Sequence, residues 1–318
     1  MSSDIFELRN ASPMLIKIEM DTPFDSREYI YELKLDGIRC LTYVDKDNEL
    51  SDLQNKRKKI LNPTYPELSG SYSQVNRRCI LDGELVIMTN GMPDFIALES
   101  RAMMTNKFRI ELASKKNPVQ FVAYDILYLD DKPITDMPLL ERKRLLNEII
   151  TENEQISVSR YITERGTDFF NLIAAKELEG IVAKKVDSPY YMGRETNRDW
   201  IKIKVLHDED FIICGYVPNE QNKVKIVILG AYDDGRLAYQ GSVALGIPSD
   251  VSSLILARAA AHPSLCPFQE VRADAVWIRP ELVCSVKFMK RIGAELPQQA
   301  RFKGIVLDKA PEECIINK

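Results

Sequence analysis

The chain has 318 residues, 43 Lys+Arg against 47 Asp+Glu, a formal net charge of −4 and 45% hydrophobic positions. That length supports a sizeable core in two compact domains or one large one and excludes a disordered or fibrous chain, while the charge lacks the basic excess that phosphate binding ordinarily shows. Six cysteines (Cys40, Cys79, Cys214, Cys266, Cys284 and Cys314) stand singly, with no C-x-x-C pair and only two histidines, so they read as reduced core residues and not as a zinc cluster.

In chain order, the N-terminal Met1 to Glu7 has no basic segment followed by an apolar run, and no later stretch approaches the roughly 18 apolar residues of a membrane span. A soluble, cytoplasmic protein with no membrane partner is expected. Short apolar or alternating runs predict strands at Tyr29 to Leu35, Arg39 to Val44, Cys79 to Met88, Val119 to Leu127, Gly180 to Lys184 and Trp200 to Val205. Helical spacing is clearest from Pro138 to Ile150, where Leu139, Arg142/Lys143, Leu145/Leu146 and Ile149/Ile150 form one stripe after a Pro start. Thr167 to Leu178 reads as a second helix, with Thr167 as N-cap and Phe169, Phe170, Leu172, Ile173 and Leu178 on its buried face. An exposed acidic step, His207-Asp208-Glu209-Asp210, follows, and a hinge is expected from Leu206 to Asp210. Beyond it, short strands at Phe211 to Val217, Lys225 to Tyr232, Leu237 to Val243 and Leu282 to Met289, with one helix from Val251 to Ala260, suit a small Greek-key barrel of the OB type. Neither half is distinctly basic.

The most informative segment is Glu32-Leu33-Lys34-Leu35-Asp36-Gly37-Ile38-Arg39. A lysine at a strand end, followed by a tight turn that Gly37 permits, can be aimed into a cleft. Lysine nucleophiles attack in the neutral form, so they need cations nearby or desolvation. Alone the pattern is weak, since chance supplies K-x-D-G in about one chain in fifteen of this length, and a strand ending in a surface turn explains it as well. Four further segments accompany it: Leu81-Asp82-Gly83-Glu84-Leu85, Phe121-Val122-Ala123-Tyr124-Asp125-Ile126, Glu179-Gly180-Ile181-Val182-Ala183-Lys184-Lys185, and Trp200-Ile201-Lys202-Ile203-Lys204, whose two lysines share a face at period 2. Together they supply a nucleophile, carboxylates for a hard divalent cation, a ring to stack a base, and cations for phosphates. Each has an ordinary structural explanation; five in this order are hard to obtain by coincidence.

The ordered set resembles the covalent nucleotidyltransferase superfamily of ATP-dependent DNA ligases, RNA ligases and mRNA-capping enzymes. It is most similar to the compact bacterial and archaeal ATP-dependent DNA ligases, including the ligase module of bacterial end-joining enzymes. The similarity begins at Ser12-Pro13-Met14-Leu15 and runs through Tyr65-Pro66-Glu67-Leu68 and Tyr191-Met192-Gly193-Arg194 to Trp277-Ile278-Arg279-Pro280-Glu281-Leu282-Val283 and Phe302-Lys303-Gly304. The resemblance implies an α+β fold: an ATP-grasp-like nucleotidyltransferase domain of antiparallel sheets with helices over residues 1–205, then an OB-fold β-barrel over 206–318.

Residue by residue, it implies that Lys34 attacks the ATP α-phosphate and carries AMP, with Leu33 beside it and Asp36 in the same motif. Glu32 would read the adenine amino group, Arg39 the ribose or nicked strand, Glu84 the ribose or metal, and Tyr124 would stack the base. Glu179 joins Glu84 as a ligand for Mg2+ or Mn2+, while Lys202 and Lys204 bind the α-phosphate. Lysine adenylation, AMP transfer to a DNA 5′-phosphate and attack by the 3′-hydroxyl follow, all of them phosphoryl transfers. Lys56, Arg57 and Arg194 are the implied DNA contacts, although the stretch Asn55-Lys56-Arg57 departs from the family's usual small residue, Arg and Gly. The usual C-terminal Arg-x-Asp-Lys reads Val306-Leu307-Asp308-Lys309 here, so Asp308 and Lys309 remain to orient pyrophosphate while Val306 replaces the Arg. Either slower self-adenylation or reliance on Lys309 is expected. The implied partners are nicked or broken duplex DNA and a Ku-type end-binding protein, bound by a monomer without accessory domains. An RNA ligase or capping-type enzyme is the nearest alternative, and a non-catalytic nucleic-acid-binding module another.

Overall fold

The computed structural model describes residues 4–268, 274–289 and 300–316, so the first three residues of the N-terminal stretch lie outside it. The chain divides into two compact units, Met1–Lys204 and Val205–Lys318. Among the described residues no helix is long and apolar enough to cross a membrane.

Two large sheets build the first unit, beside a two-stranded ribbon of Met88–Thr89 and Met92–Pro93. One runs Leu15–Met20, Glu195–Lys204, Gly180–Lys185, Tyr29–Leu33, Tyr161–Thr163; the other runs Ile156–Val158, Gln120–Leu129, Cys79–Val86, Ile38–Asp45, Leu50–Asn55, with Lys132–Pro133 at its flank. The expected antiparallel sheets are mixed, because Leu15–Met20 pairs parallel with Glu195–Lys204 and Ile156–Val158 parallel with Gln120–Leu129. Period-2 alternation sorts the side chains into layers. Cys40, Val44, Cys79, Leu81 and Leu85 enter an outer core with Leu98, Leu146 and Ile149. Leu41, Tyr43, Ile80 and Tyr124 meet Ile30 and Trp200 of the other sheet in an inner core.

Helices cover the flanks: α1 (Phe95–Ala102), α2 (Lys107–Lys116), α3 (Leu139–Ile149) and α4 (Gly166–Ala175). In α3 the expected stripe is present, with Leu139, Arg142, Lys143, Leu146 and Ile149 all buried. The reading of α4 needs correction at three points, the first being that the helix stops at Ala175, so Leu178 lies past its end. Thr167 lies inside the helix, and its N–H donates to Asp25 Oδ1 at 2.8 Å, so a residue remote in sequence satisfies the helix N-terminus. Leu172 points outward and is 53% exposed.

The second unit overturns the expected OB barrel. Its five strands, Arg236–Val243, Val224–Asp233, His207–Pro218, Val276–Phe288 and Arg301–Val306, form one sheet in that order, and no sheet closes among the described residues. The outer strands run no ladder against each other; a lone bridge joins Leu245 to Arg301. Helix α5 (Ser249–Ala261) explains how the open sheet is stabilised: Val251 and Ile255 pack with Phe211, Val227, Leu229 and Phe288, covering the apolar face that a closed barrel would cover with its own strands. The acidic step taken as a hinge is the start of a strand, with His207 to Asp210 paired to Phe288 to Ser285.

Candidate active site

Between the two sheets of the first unit lies a cleft of about 440 Å³. Strand register explains who lines it. Glu32 pairs with Val182 and Val182 with Lys202; one row further out, Gly180 pairs with Lys204 and its carbonyl accepts from Lys34 N at 2.9 Å. Alternation therefore aims Glu32, Val182, Lys184, Trp200 and Lys202 at the same side, and all five border the cleft. Gly180 has a φ of +142°, and a Cβ there would lie 2.2 Å from the Ile203 carbonyl oxygen, so only glycine fits beside Lys34. Gly37 serves differently from expectation. It has no left-handed φ, and a Cβ on it would lie 2.3 Å from the Leu85 oxygen, so it permits close approach of the Cys79–Val86 strand.

The expected nucleophile Lys34 forms an ion pair with Glu179, each side chain being mostly buried. Glu179 has its pKa raised by burial, opposed by Lys34, and its buried Oε2 takes no hydrogen bond. Glu84 stands on the facing sheet and borders the same cleft. Burial pushes its pKa up to about 7 against the pull of Arg39, and its Oε2 accepts from Tyr124 Oη at 3.4 Å. Lys202 has its pKa lowered by desolvation and then by Lys204, with Lys34 adding to the effect. Lys204 itself bonds Glu19 at 2.8 Å. Leu33, Asp36 and Lys56 also border the cleft.

Two of the expected ligand-binding groups are already engaged by the protein. Arg39 grips the buried Asp82 with two bonds of 2.6 Å, a geometry suited to a guanidinium and a carboxylate. Tyr190 Oη adds a 2.6 Å bond to Asp82, and the Arg39 guanidinium lies 4.9 Å from the Tyr124 ring centroid. Glu32 pairs with Lys143 through Oε1, while its Oε2 accepts from Ser159 Oγ at 2.8 Å and Lys184 Nζ at 3.0 Å. Lys184 was not singled out from the sequence, yet its ammonium sits 4.0 Å from the Trp200 ring centroid and 4.5 Å from that of Tyr124. Desolvation lowers its pKa to about 8. A period-2 reading of Val182 and Lys184, or of Asp82 and Glu84, carries the signal for these positions.

The expected DNA contacts are at the surface. Arg57 is exposed in the turn after Leu50–Asn55, its backbone N–H donating to Asn55 Oδ1 at 2.9 Å, and Arg194 is exposed with its carbonyl accepting from Leu15 N at 2.9 Å. In the second unit Asp308 is exposed, Lys309 donates to Asp210 at 2.9 Å, and Val306 packs against Ile212, Cys214, Val283 and Cys314.

Comparison with known proteins adds to this geometry. The family model described as ATP dependent DNA ligase domain matches residues 13–204, and that described as ATP dependent DNA ligase C terminal region matches 220–309. DNA ligase C1 of Mycolicibacterium smegmatis is 28% identical over 333 residues, covering 96% of this chain and 92% of that protein. The multifunctional non-homologous end joining protein LigD of the same organism is 26% identical over 315 residues, covering 96% of this chain but 39% of that protein. The crystal structure of the ligase domain of M. tuberculosis LigD shares the fold, with a TM-score of 0.55, 23% identity, and 97% and 99% of the two chains covered.

Proposed function

The chain belongs to the ATP-dependent DNA ligase family and joins DNA strands with ATP, and we propose that it does so through an AMP carried on Lys34. The observation that supports this reading is the convergence of Lys34, Glu179, Glu84 and Lys202 on one cleft, whose volume of about 440 Å³ suits a nucleotide. The match over residues 220–309 favours a DNA ligase over an RNA ligase or capping enzyme.

In this mechanism the Lys34 ammonium, paired with Glu179, loses its proton to water before it attacks. The freed amine attacks the α-phosphorus; the N–P bond forms as the P–O bond to pyrophosphate breaks. Lys202 faces the charge that develops on the phosphoryl oxygens, with Lys204 behind it. Tyr124 offers its ring to the base, and Asp36 completes the turn after Lys34. The DNA 5′-phosphate then takes the AMP, and the 3′-hydroxyl displaces it. Lys56, Arg57 and Arg194 are the proposed phosphate contacts.

Glu84 and Glu179 fit a hard divalent cation, because both offer carboxylate oxygens to one cleft and Glu179 Oε2 lacks a partner. Bound there, Mg2+ or Mn2+ would supply charge neutralisation for the triphosphate. End joining with a Ku-type protein is the proposed setting, supported by the match to LigD. Stimulation of end joining by a purified Ku-type protein is the expected result, and no stimulation removes that partner.

Incubation with ATP labelled at the α-phosphate tests the core of the reading. Wild type should take an acid-labile, alkali-stable label, as a phosphoramide does, and Lys34→Ala should lose it by about 10³-fold or more. Equal labelling of Lys34→Ala shows the site to be wrong. A wild type that neither labels nor seals a pre-adenylated nick rules out the proposed chemistry altogether.

A further inference from the structure

We infer that Lys143 is a positioning residue for the nucleotide pocket: from α3 it holds the Glu32 carboxylate from behind, so that Lys184 and one acceptor position of Glu32 serve a purine bearing a 6-amino group. This rests on the proposed reading of the cleft as a nucleotide site.

Lys143 is 1% exposed and does not border the cleft. A buried ammonium is costly unless it is paired, so its place on the apolar stripe of α3 calls for a reason. Its neighbour Arg142 makes a closed pair with Asp125, with bonds of 2.7 and 2.9 Å, and donates to the Ser188 carbonyl at 3.0 Å. Lys143 reaches past that pair to Glu32 Oε1. Glu32 already has one cation in Lys184, so neutrality did not require a second. Two cations on one carboxylate leave a surplus positive charge under the Tyr124 and Trp200 rings, and Lys143 is among the causes of the lowered Lys184 pKa.

Counting acceptor positions gives this arrangement its use. An ionised carboxylate has about four. At Glu32, Ser159 and Lys184 fill the two on Oε2, while Lys143 pairs with the buried Oε1. With Lys143 as a permanent counter-ion, Lys184 need not stay committed to Glu32 and can turn to the cleft it borders, and the Oε2 position it leaves suits an exocyclic amine. Without Lys143, Lys184 becomes the sole counter-ion and is held back.

The test compares Lys34 adenylation by ATP and by purine riboside 5′-triphosphate, which lacks the 6-amino group, in wild type, Lys143→Met and Lys143→Arg. The ratio of kcat/KM values, ATP over analogue, should fall by about tenfold or more in Lys143→Met and recover in Lys143→Arg. A folded Lys143→Met with the wild-type ratio and only a lower Tm overturns the inference while leaving the Lys34 chemistry standing. A wild type that uses both triphosphates equally overturns it too, because Glu32 then reads no amine; a wild type that adenylates with neither disproves the nucleotide site itself. Should Lys143→Met not fold, Lys143→Met/Glu32→Gln removes both charges together and is read against Glu32→Gln. Equal ratios support action through Glu32, and a further loss in the double variant overturns it.

Discussion

The two units differ in how far inward they carry their ion pairs. The first has surface pairs such as Arg165–Asp168 but also carries several inward: Arg142–Asp125 is wholly buried, Arg39 grips a buried Asp82, and Glu32 holds Lys143 and Lys184 in the interior. In the second, the pairs Lys303–Asp208 and Lys309–Asp210 keep 27–45% of each side chain exposed, and the interior beneath them is an apolar cluster around Ile213, Val227 and Phe288. Buried pairs are poor stabilisers, since desolvation offsets most of their attraction. Their concentration around one cleft fits the phosphoryl transfer proposed there; among its described residues the second unit shows no such concentration and rests on hydrophobic packing.

The comparison is tested hardest by breaking an inward pair. Arg39→Ala leaves Asp82 buried with only Tyr190 as donor and should cost about 3–5 kcal/mol in a urea titration; a loss below 1 kcal/mol would show that the pair is solvated and the contrast empty. Next in size, Val306→Arg introduces a guanidinium beside Ile212, Cys214, Val283 and Cys314, and a loss of about 1–3 kcal/mol is expected. Labelling by α-labelled ATP should not accelerate. Faster labelling at unchanged stability would mean that this position awaits a cation and is not part of the packing.

The Lys184 ammonium gives a pH-dependent check. The unfolded chain keeps this proton to about 10.5, whereas the folded protein releases it near 8. Between those values the unfolded state binds more protons, so this group makes stability rise with pH, by at most about 1.4 kcal/mol per unit. Tyrosines and other lysines titrate in the same range. The quantity to follow is therefore wild type minus Lys184→Gln, which should increase from pH 8 to 10; a flat difference would place Lys184 in contact with water.

Much of this site was legible because strands declare themselves by alternation. Lys202 and Lys204 share a face, as Asp82 and Glu84 do, and Lys34 stands just past a strand end. What escaped depended on partners remote in sequence. Lys143 and Arg142 read as members of an apolar stripe, which they are, but their carboxylates belong to the strands Tyr29–Leu33 and Gln120–Leu129. Asp25 satisfies the start of α4 from more than a hundred positions away. Helix α2 was missed because it buries only Ile110 and leaves Phe108 and Leu112 exposed, so no stripe appears. The barrel was expected from short strands with a single helix and from the family resemblance, and neither carries information on whether the edges meet.

The smallest effect tests the other side of the contrast. Lys309 donates to Asp210 at 2.9 Å, and hydrogen bonding by that carboxylate raises the lysine pKa. Side chains 32% and 27% exposed stay largely hydrated. Pairing there replaces water contacts with a screened attraction, worth under about 1 kcal/mol. Lys309→Ala and Asp210→Asn should each shift the urea midpoint slightly, and 1 M salt should erase the difference from wild type. A Lys309→Ala loss several times larger that persists in salt would place this pair with the inward ones, and the second unit would then share the charge design of the first.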